Sequence, residues 1–166
     1  MKFKSIFSFA LLLLTTTATA EAARADAFRD AILDTHNRER ARLGEAPLTW
    51  SDGLARGAAD WARHLAKLGK LEHSSGPEGE NLWMGTAGSY TTAEMVAGWL
   101  DEKKDFLPGR FPDVSRSGNW HDVGHYTQIV WRGTRTIGCA KTTGGGWDVL
   151  VCRYDPPGNW IGEAPY

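Results

Sequence analysis

Five histidines, two cysteines and a scatter of carboxylates are the side chains of this sequence with chemistry to offer. The cysteines come first, because their spacing carries its own geometry. Two β-prone runs, Thr136 to Thr142 and Trp147 to Tyr154, flank glycines 144 to 146 and read as a hairpin. A two-residue turn at Gly145-Gly146 pairs Gly144 with Trp147 and, five pairs further out, Cys139 with Cys152. The first is a hydrogen-bonded pair, so the cysteines fall at a non-hydrogen-bonded one. There the Cα atoms come closest, and a cross-strand disulfide fits. The alternative, two buried free thiols, is disfavoured in an exported chain.

The histidines are His36, His64, His73, His121 and His125. They form no HExxH pair, and neither a CxxC nor a GxSxG pattern occurs, so the usual zinc-protease, redox and hydrolase signatures are missing. GxGxxG and the phosphate-binding loop are missing too, which leaves nucleotide binding without support. His64 falls on the polar side of a predicted helix, and His36 lies beside Asn37 in another, where structural hydrogen bonds are the simpler role. His121, between Trp120 and Asp122, has no partner in the pattern.

Several elements must position these groups. Met1 to Ala20 carries Lys2 and Lys4, a short apolar run from Ile6 to Leu14 and an Ala18-Thr19-Ala20 cleavage site. This reads as a signal peptide, and the run is too short to span a bilayer. Removing it leaves residues 21–166 as one domain, with 17 basic against 20 acidic side chains and a formal charge of −3. That balance gives no electrostatic reason to expect nucleic acid.

A first helix is predicted from Ala25, with Phe28, Ile32, Thr35/His36 and Leu43 on one face and Gly44 as its cap. Ser51 caps a second, whose stripe is Leu54, Ala58, Trp61, Leu65 and Leu68, ending at Gly69. A polar loop holding His73 leads to Glu80-Asn81-Leu82-Trp83. The third helix opens with Thr91 and Glu94 in capping-box relation. Its apolar stripe, Met95 and Trp99, continues into Glu102. A carboxylate there either meets water at the helix end or lines a cleft with a partner. Lys103 to Val123 is too long for a simple connection; its Phe106, Leu107, Phe111 and Trp120 either offer a ligand an apolar surface or pin the loop to the core. His125 to Trp131 alternates as a half-buried strand does. The class is α+β, three helices with an antiparallel, hairpin-rich sheet.

Three segments carry a resemblance. GHYTQIVWRGT and VLVCRYDPPGNWIG are similar to the two signature motifs of the CAP superfamily, also called the SCP domain family, which comprises cysteine-rich secretory proteins, antigen 5 and class-one pathogenesis-related proteins. HNRERARLGEAPLTWSDGLARGAADWA resembles that family's first two helices. The resemblance implies an α-β-α sandwich with a central antiparallel sheet between helical layers. It also implies a surface cleft lined by two His and two Glu, which map onto His73, Glu80, Glu102 and His125.

Two imidazoles and two carboxylates suit zinc or another divalent cation, and equally a mutually satisfied polar network. No residue is singled out as a catalytic nucleophile, and no cofactor is obligatory. The expected function is a secreted (extracellular or periplasmic) non-enzymatic binding module for a lipid, a small apolar molecule or a partner protein. The alternatives are a metal-assisted hydrolase or protease at the same cleft, or a precursor whose C-terminal peptide, Pro156 to Tyr166, is released. Two departures stand out. The chain can form one disulfide where plant defence members have three, which suggests a bacterial-type or otherwise divergent member. Arg153 also stands where the family usually has Asn.

Overall fold

The computed structural model describes residues 7–166, with side chains from residue 19 onward, so residues 1–6 of the expected signal peptide lie outside the described residues and 7–18 are described by their backbone alone. In chain order come α1 (Phe7–Arg42), β1 (Thr49–Trp50), α2 (Asp52–Leu68), β2 (Gly79–Thr86), α3 (Thr92–Leu100), α4 (Gly124–Val130), β3 (Thr136–Gly144) and β4 (Trp147–Asp155). Short 3-10 turns at Asp101–Asp105 and Trp120–Asp122 bracket the long loop. Among the described residues no helix is long and apolar enough to cross a membrane.

The hairpin forms in the predicted register, with Gly144 opposite Trp147 and Cys139 opposite Cys152. Gly145 and Gly146 both take positive φ, 60° and 85°, the backbone a two-residue turn of this hand requires. The two cysteines are disulfide-bonded, their Cα atoms 4.1 Å apart. The sheet runs β1-β3-β4-β2. β2 joins β4 antiparallel, whereas the two-residue β1 pairs with β3 in parallel, so the sheet is mixed rather than wholly antiparallel.

Pleating sends alternate residues of β4 to opposite faces. Val149 and Val151 meet Leu82 and the buried Ala58, Ala62 and Leu65 of α2. Leu150, Cys152 and Tyr154 meet Ile32 of α1, Met95 and Trp99 of α3, and Tyr126 and Ile129 of α4. The sheet thus lies between α2 and the other three helices, the α-β-α sandwich.

Local signals set the helix ends. The Ser51 hydroxyl accepts the Leu54 N–H at the start of α2, and Gly69 ends it in the left-handed region. Thr91 and Glu94 close the capping box of α3. Leu68 is 42% exposed, because the sheet-facing row of α2 runs through Ala58, Ala62, Leu65 and Ala66 and leaves the helix end outside.

Two helices also differ from expectation: α1 begins at Phe7 rather than Ala25, and a fourth helix is present. The run from His125, predicted as a half-buried strand, is the helix α4, in which Tyr126, Thr127, Gln128, Ile129 and Val130 are all buried. A segment buried on every side shows no helical stripe, so alternation in seven residues misleads. The deciding bonds come from elsewhere: the Glu102 carboxylate takes the first N–H groups, and Arg40 takes carbonyls at the other end.

Arg40 is fully buried. Its guanidinium donates to the carbonyls of Ala46, Ile129, Trp131 and Thr134. Beside it a second polar chain crosses the core. His36 Nδ1 donates to the Ile32 carbonyl, so its Nε2 accepts the Tyr154 hydroxyl at 2.9 Å. The Asn81 amide donates both to that hydroxyl and to the His125 carbonyl, each at 3.1 Å. Burial pushes the His36 imidazole down to about 4, with the Ile32 carbonyl opposing and the Arg40 charge assisting.

Two predictions follow from this core. The unfolded chain takes up a proton on His36 near the ordinary 6.5, while the folded chain resists until about 4. Stability should therefore fall as pH drops through that window, by roughly 3 kcal/mol if the whole shift is expressed. Denaturant unfolding at pH 7 and pH 4.5 should show the drop in the wild type and a much smaller one in His36→Gln; equal drops in both would count against it. Removing the disulfide with Cys139→Ala and Cys152→Ala together should cost about 3 kcal/mol for a loop of this size. Peptide mapping without reductant that finds both thiols alkylatable in the exported protein would remove the basis for that figure.

Candidate functional site

The loop before β2 with the start of that strand, the long loop after α3, α4 and the C-terminal segment line a cleft of about 580 Å3. His73, Glu80 and His125 line it, with Phe111, Trp120 and His121 from the long loop and Pro157, Gly158 and Ile161 from the tail. Three of the four residues mapped by resemblance thus share this wall. Glu102 lies behind His125, which it contacts.

The four are arranged as two pairs. His73 Nδ1 lies 2.8 Å from Glu80 Oε1, and His125 Nδ1 lies 2.6 Å from Glu102 Oε1. An ionised carboxylate only accepts, so each imidazole donates from Nδ1, and in the neutral ring Nε2 is left as the lone pair. Neither Nε2 has a hydrogen-bond partner among the described residues. Glu80 also accepts the Ser74 N–H and hydroxyl. Burial pushes its carboxyl up, but the His73 and Ser74 hydrogen bonds together outweigh this and hold it below the usual carboxylate range.

Glu102 explains its odd place on the stripe. α3 ends at Leu100, and the 3-10 turn that follows swings the carboxylate to the start of α4. There Oε2 accepts the N–H groups of His125 and Tyr126, both at 3.0 Å, while Oε1 holds the ring. The His125 ring is further fixed by stacking on Trp99, centroids 5.7 Å apart.

Among the described residues no group of three or more His, Cys, Asp or Glu is placed to hold a metal. The carboxylates are engaged on imidazole and backbone N–H groups, so the donors left for a cation are the two Nε2 atoms. As arranged, the four residues therefore do not form an enclosing set of four protein ligands.

Of the four loop residues, Phe111 and Trp120 line the cleft, their rings 5.0 Å apart. Phe106 is buried against Tyr126 and Tyr166, and Leu107 is 36% exposed away from the cleft lining. His121, unassigned by the sequence, stacks on Trp120 at 3.7 Å and is a third imidazole on the wall. The adjacent Trp-His in a short turn is the one signal that could have marked it.

The tail is strapped down. Gly158 N–H donates to Gln128, Thr127 donates to Asn159, and Arg132 N–H donates to the Pro165 carbonyl at 2.6 Å. Phe111 N–H meets the Glu163 carbonyl, and Gly162 N–H the Phe111 carbonyl. The segment is thereby a fixed wall of the cleft.

Known proteins share this architecture. The model of the cysteine-rich secretory protein family, CAP, matches residues 33–154. The chain is 40% identical over 168 residues to pathogenesis-related protein 1A of Nicotiana tabacum, covering 99% of this chain and 97% of that one. It is 36% identical over 135 residues to pathogenesis-related protein 1 of Arabidopsis thaliana, covering 81% and 80%. Among solved structures it is similar to NaASP2 crystallised with Zn2+, with a TM-score of 0.71 and 22% identity over 83% of this chain and 84% of that one. BmVAL-1 gives a TM-score of 0.70 and 25% identity over 84% and 81%. The matched span takes in the GHYTQIVWRGT motif, the disulfide hairpin with the first part of the second motif, and His73, Glu80, Glu102 and His125, and the chain belongs to the CAP, cysteine-rich secretory protein, family.

Proposed function

We propose that this is an exported binding protein whose cleft takes a small ligand at two carboxylate-oriented imidazoles, with zinc or a similar divalent cation as the ion those imidazoles would hold. One observation carries the reading: each Nδ1 is committed to its own carboxylate, which leaves both Nε2 atoms as donors. Metal-binding imidazoles characteristically donate their other N–H to a carboxylate in this way. Bound there, the ion would supply Lewis-acid polarisation of whatever ligand completed its shell. That the related NaASP2 was crystallised with Zn2+ supports the assignment.

The same commitment favours binding over hydrolysis. With both imidazoles on the ion, a general base would have to be Glu80 or Glu102, and each would first give up hydrogen bonds to an imidazole and to backbone N–H groups. The apolar part of the lining, with Phe111, Pro112, Trp120 and Ile161, suits the apolar part of a lipid or other small molecule. The leader-like pattern of residues 1–20 and the secretory character of the family support export.

Excess zinc should raise the melting temperature at pH 7.5, and a hundredfold excess over Kd corresponds to about 2.7 kcal/mol. His73→Ala and His125→Ala should each abolish the rise, and no peptidase activity should accompany it. An unchanged melting temperature would leave the two pairs as a polar network without a metal. Zinc-dependent cleavage lost in Glu80→Gln or Glu102→Gln would establish a hydrolase instead. For the apolar end, titration with a fatty acid and a sterol should show saturable binding that Trp120→Ala weakens. No saturation would return the loop aromatics to a packing role.

A further inference from the structure

Arg153, the departure noted in the second motif, sits directly across from Glu80 in the β2–β4 register. Its side chain, 15% exposed, points to the α2 side of the sheet. Nε lies 3.8 Å from Glu80 Oε2, and Nη1 lies 3.9 Å from Glu78 Oε2. Both distances are longer than hydrogen bonds. Arg153 Nε and Glu78 Oε2 are in fact buried atoms with no hydrogen-bond partner. A guanidinium so placed acts by charge, shared between two carboxylates.

The backbone leaves room for it. A Cβ at Gly57 of α2 would come within 2.8 Å of Nη1, and one at Gly76 would collide with Glu78 Oε2. Glu78 and Glu80 both line the cleft, two residues apart, and without a cation between them they would repel. The two halves of the site are thus built differently. Glu102 is held by two N–H groups of a helix, whereas Glu80 is held by a loop serine and approached by a cation on the neighbouring strand.

We propose that Arg153 is the positioning residue of the His73 half of the cleft: by compensating Glu78 and Glu80 together, it keeps the Glu80 carboxylate seated against His73 Nδ1. The consequence for a ligand rests on the reading of the cleft as a binding site; the seating itself does not.

The test has two arms. In the first, imidazole 15N correlation spectra of the metal-free protein report which ring nitrogen carries the proton. Wild type should show the Nδ1–H form at both His73 and His125. Arg153→Gln should lose it at His73 and keep it at His125. Arg153→Lys, or Glu78→Gln added to Arg153→Gln, should restore it by returning the charge or removing the repulsion. In the second arm, zinc affinity should weaken about tenfold in Arg153→Gln, the scale of losing a group that orients a ligand, and recover in the same two variants. An unchanged His73 form in Arg153→Gln overturns the proposal. So does a change that spreads to His125, or a loss that neither rescue repairs. If wild type fails to bind zinc, the metal reading falls while the first arm still decides the role of Arg153.

Discussion

His125 rides on α4, seven residues from Gly124 to Val130, and a helix that short has almost no internal bonds of its own to set against the cost of starting it. Its ends are held by side chains from distant parts of the chain. The Glu102 carboxylate receives the N–H groups of His125 and Tyr126, and the buried Arg40 guanidinium receives the carbonyls of Ile129 and Trp131. A buried cation without a carboxylate partner is costly unless it is well hydrogen-bonded, and here four carbonyls engage all three guanidinium nitrogens. The cleft inherits its geometry from this clamp. Glu102 seats the helix with one oxygen and the His125 ring with the other.

Beneath the cleft floor, Tyr154 joins the same scaffold. Its hydroxyl donates to His36 of α1 and accepts from Asn81 of β2, whose amide also reaches the His125 carbonyl. Every member of this buried chain is satisfied, and such networks fix a unique arrangement of the elements that contribute to them. α1, β2, β4 and α4 are tied at one point, directly behind the imidazole pair. The tail closes the other wall through Gln128 and Thr127 of the same helix.

The acids of the site are accordingly orienting groups. Each imidazole has one nitrogen engaged by its carboxylate, and the cleft wall combines His73 and His125 with aromatic Trp120. On the proposed reading, these nitrogens would meet the polar end of a ligand whose apolar body lies against the aromatic lining.

Much of the fold was legible because its signals are local. The glycine pair and the hairpin register placed Cys139 opposite Cys152, since a two-residue turn leaves no freedom in the pairing. Ser51, Gly69 and the Thr91–Glu94 box marked helix ends through bonds spanning three or four residues. The family motifs named His73, Glu80, Glu102 and His125, and the misplaced carboxylate on the α3 stripe was visible without them. The tertiary structure decided the rest. α4 reads as a strand because its helical bonds depend on Glu102 and Arg40, more than twenty and more than eighty residues away. The division of the four site residues into two pairs, the third imidazole of His121 and the seat of Arg153 between two glutamates all depend on strand register and loop closure. No local pattern encodes which side chain a carboxylate will meet once distant segments are packed together.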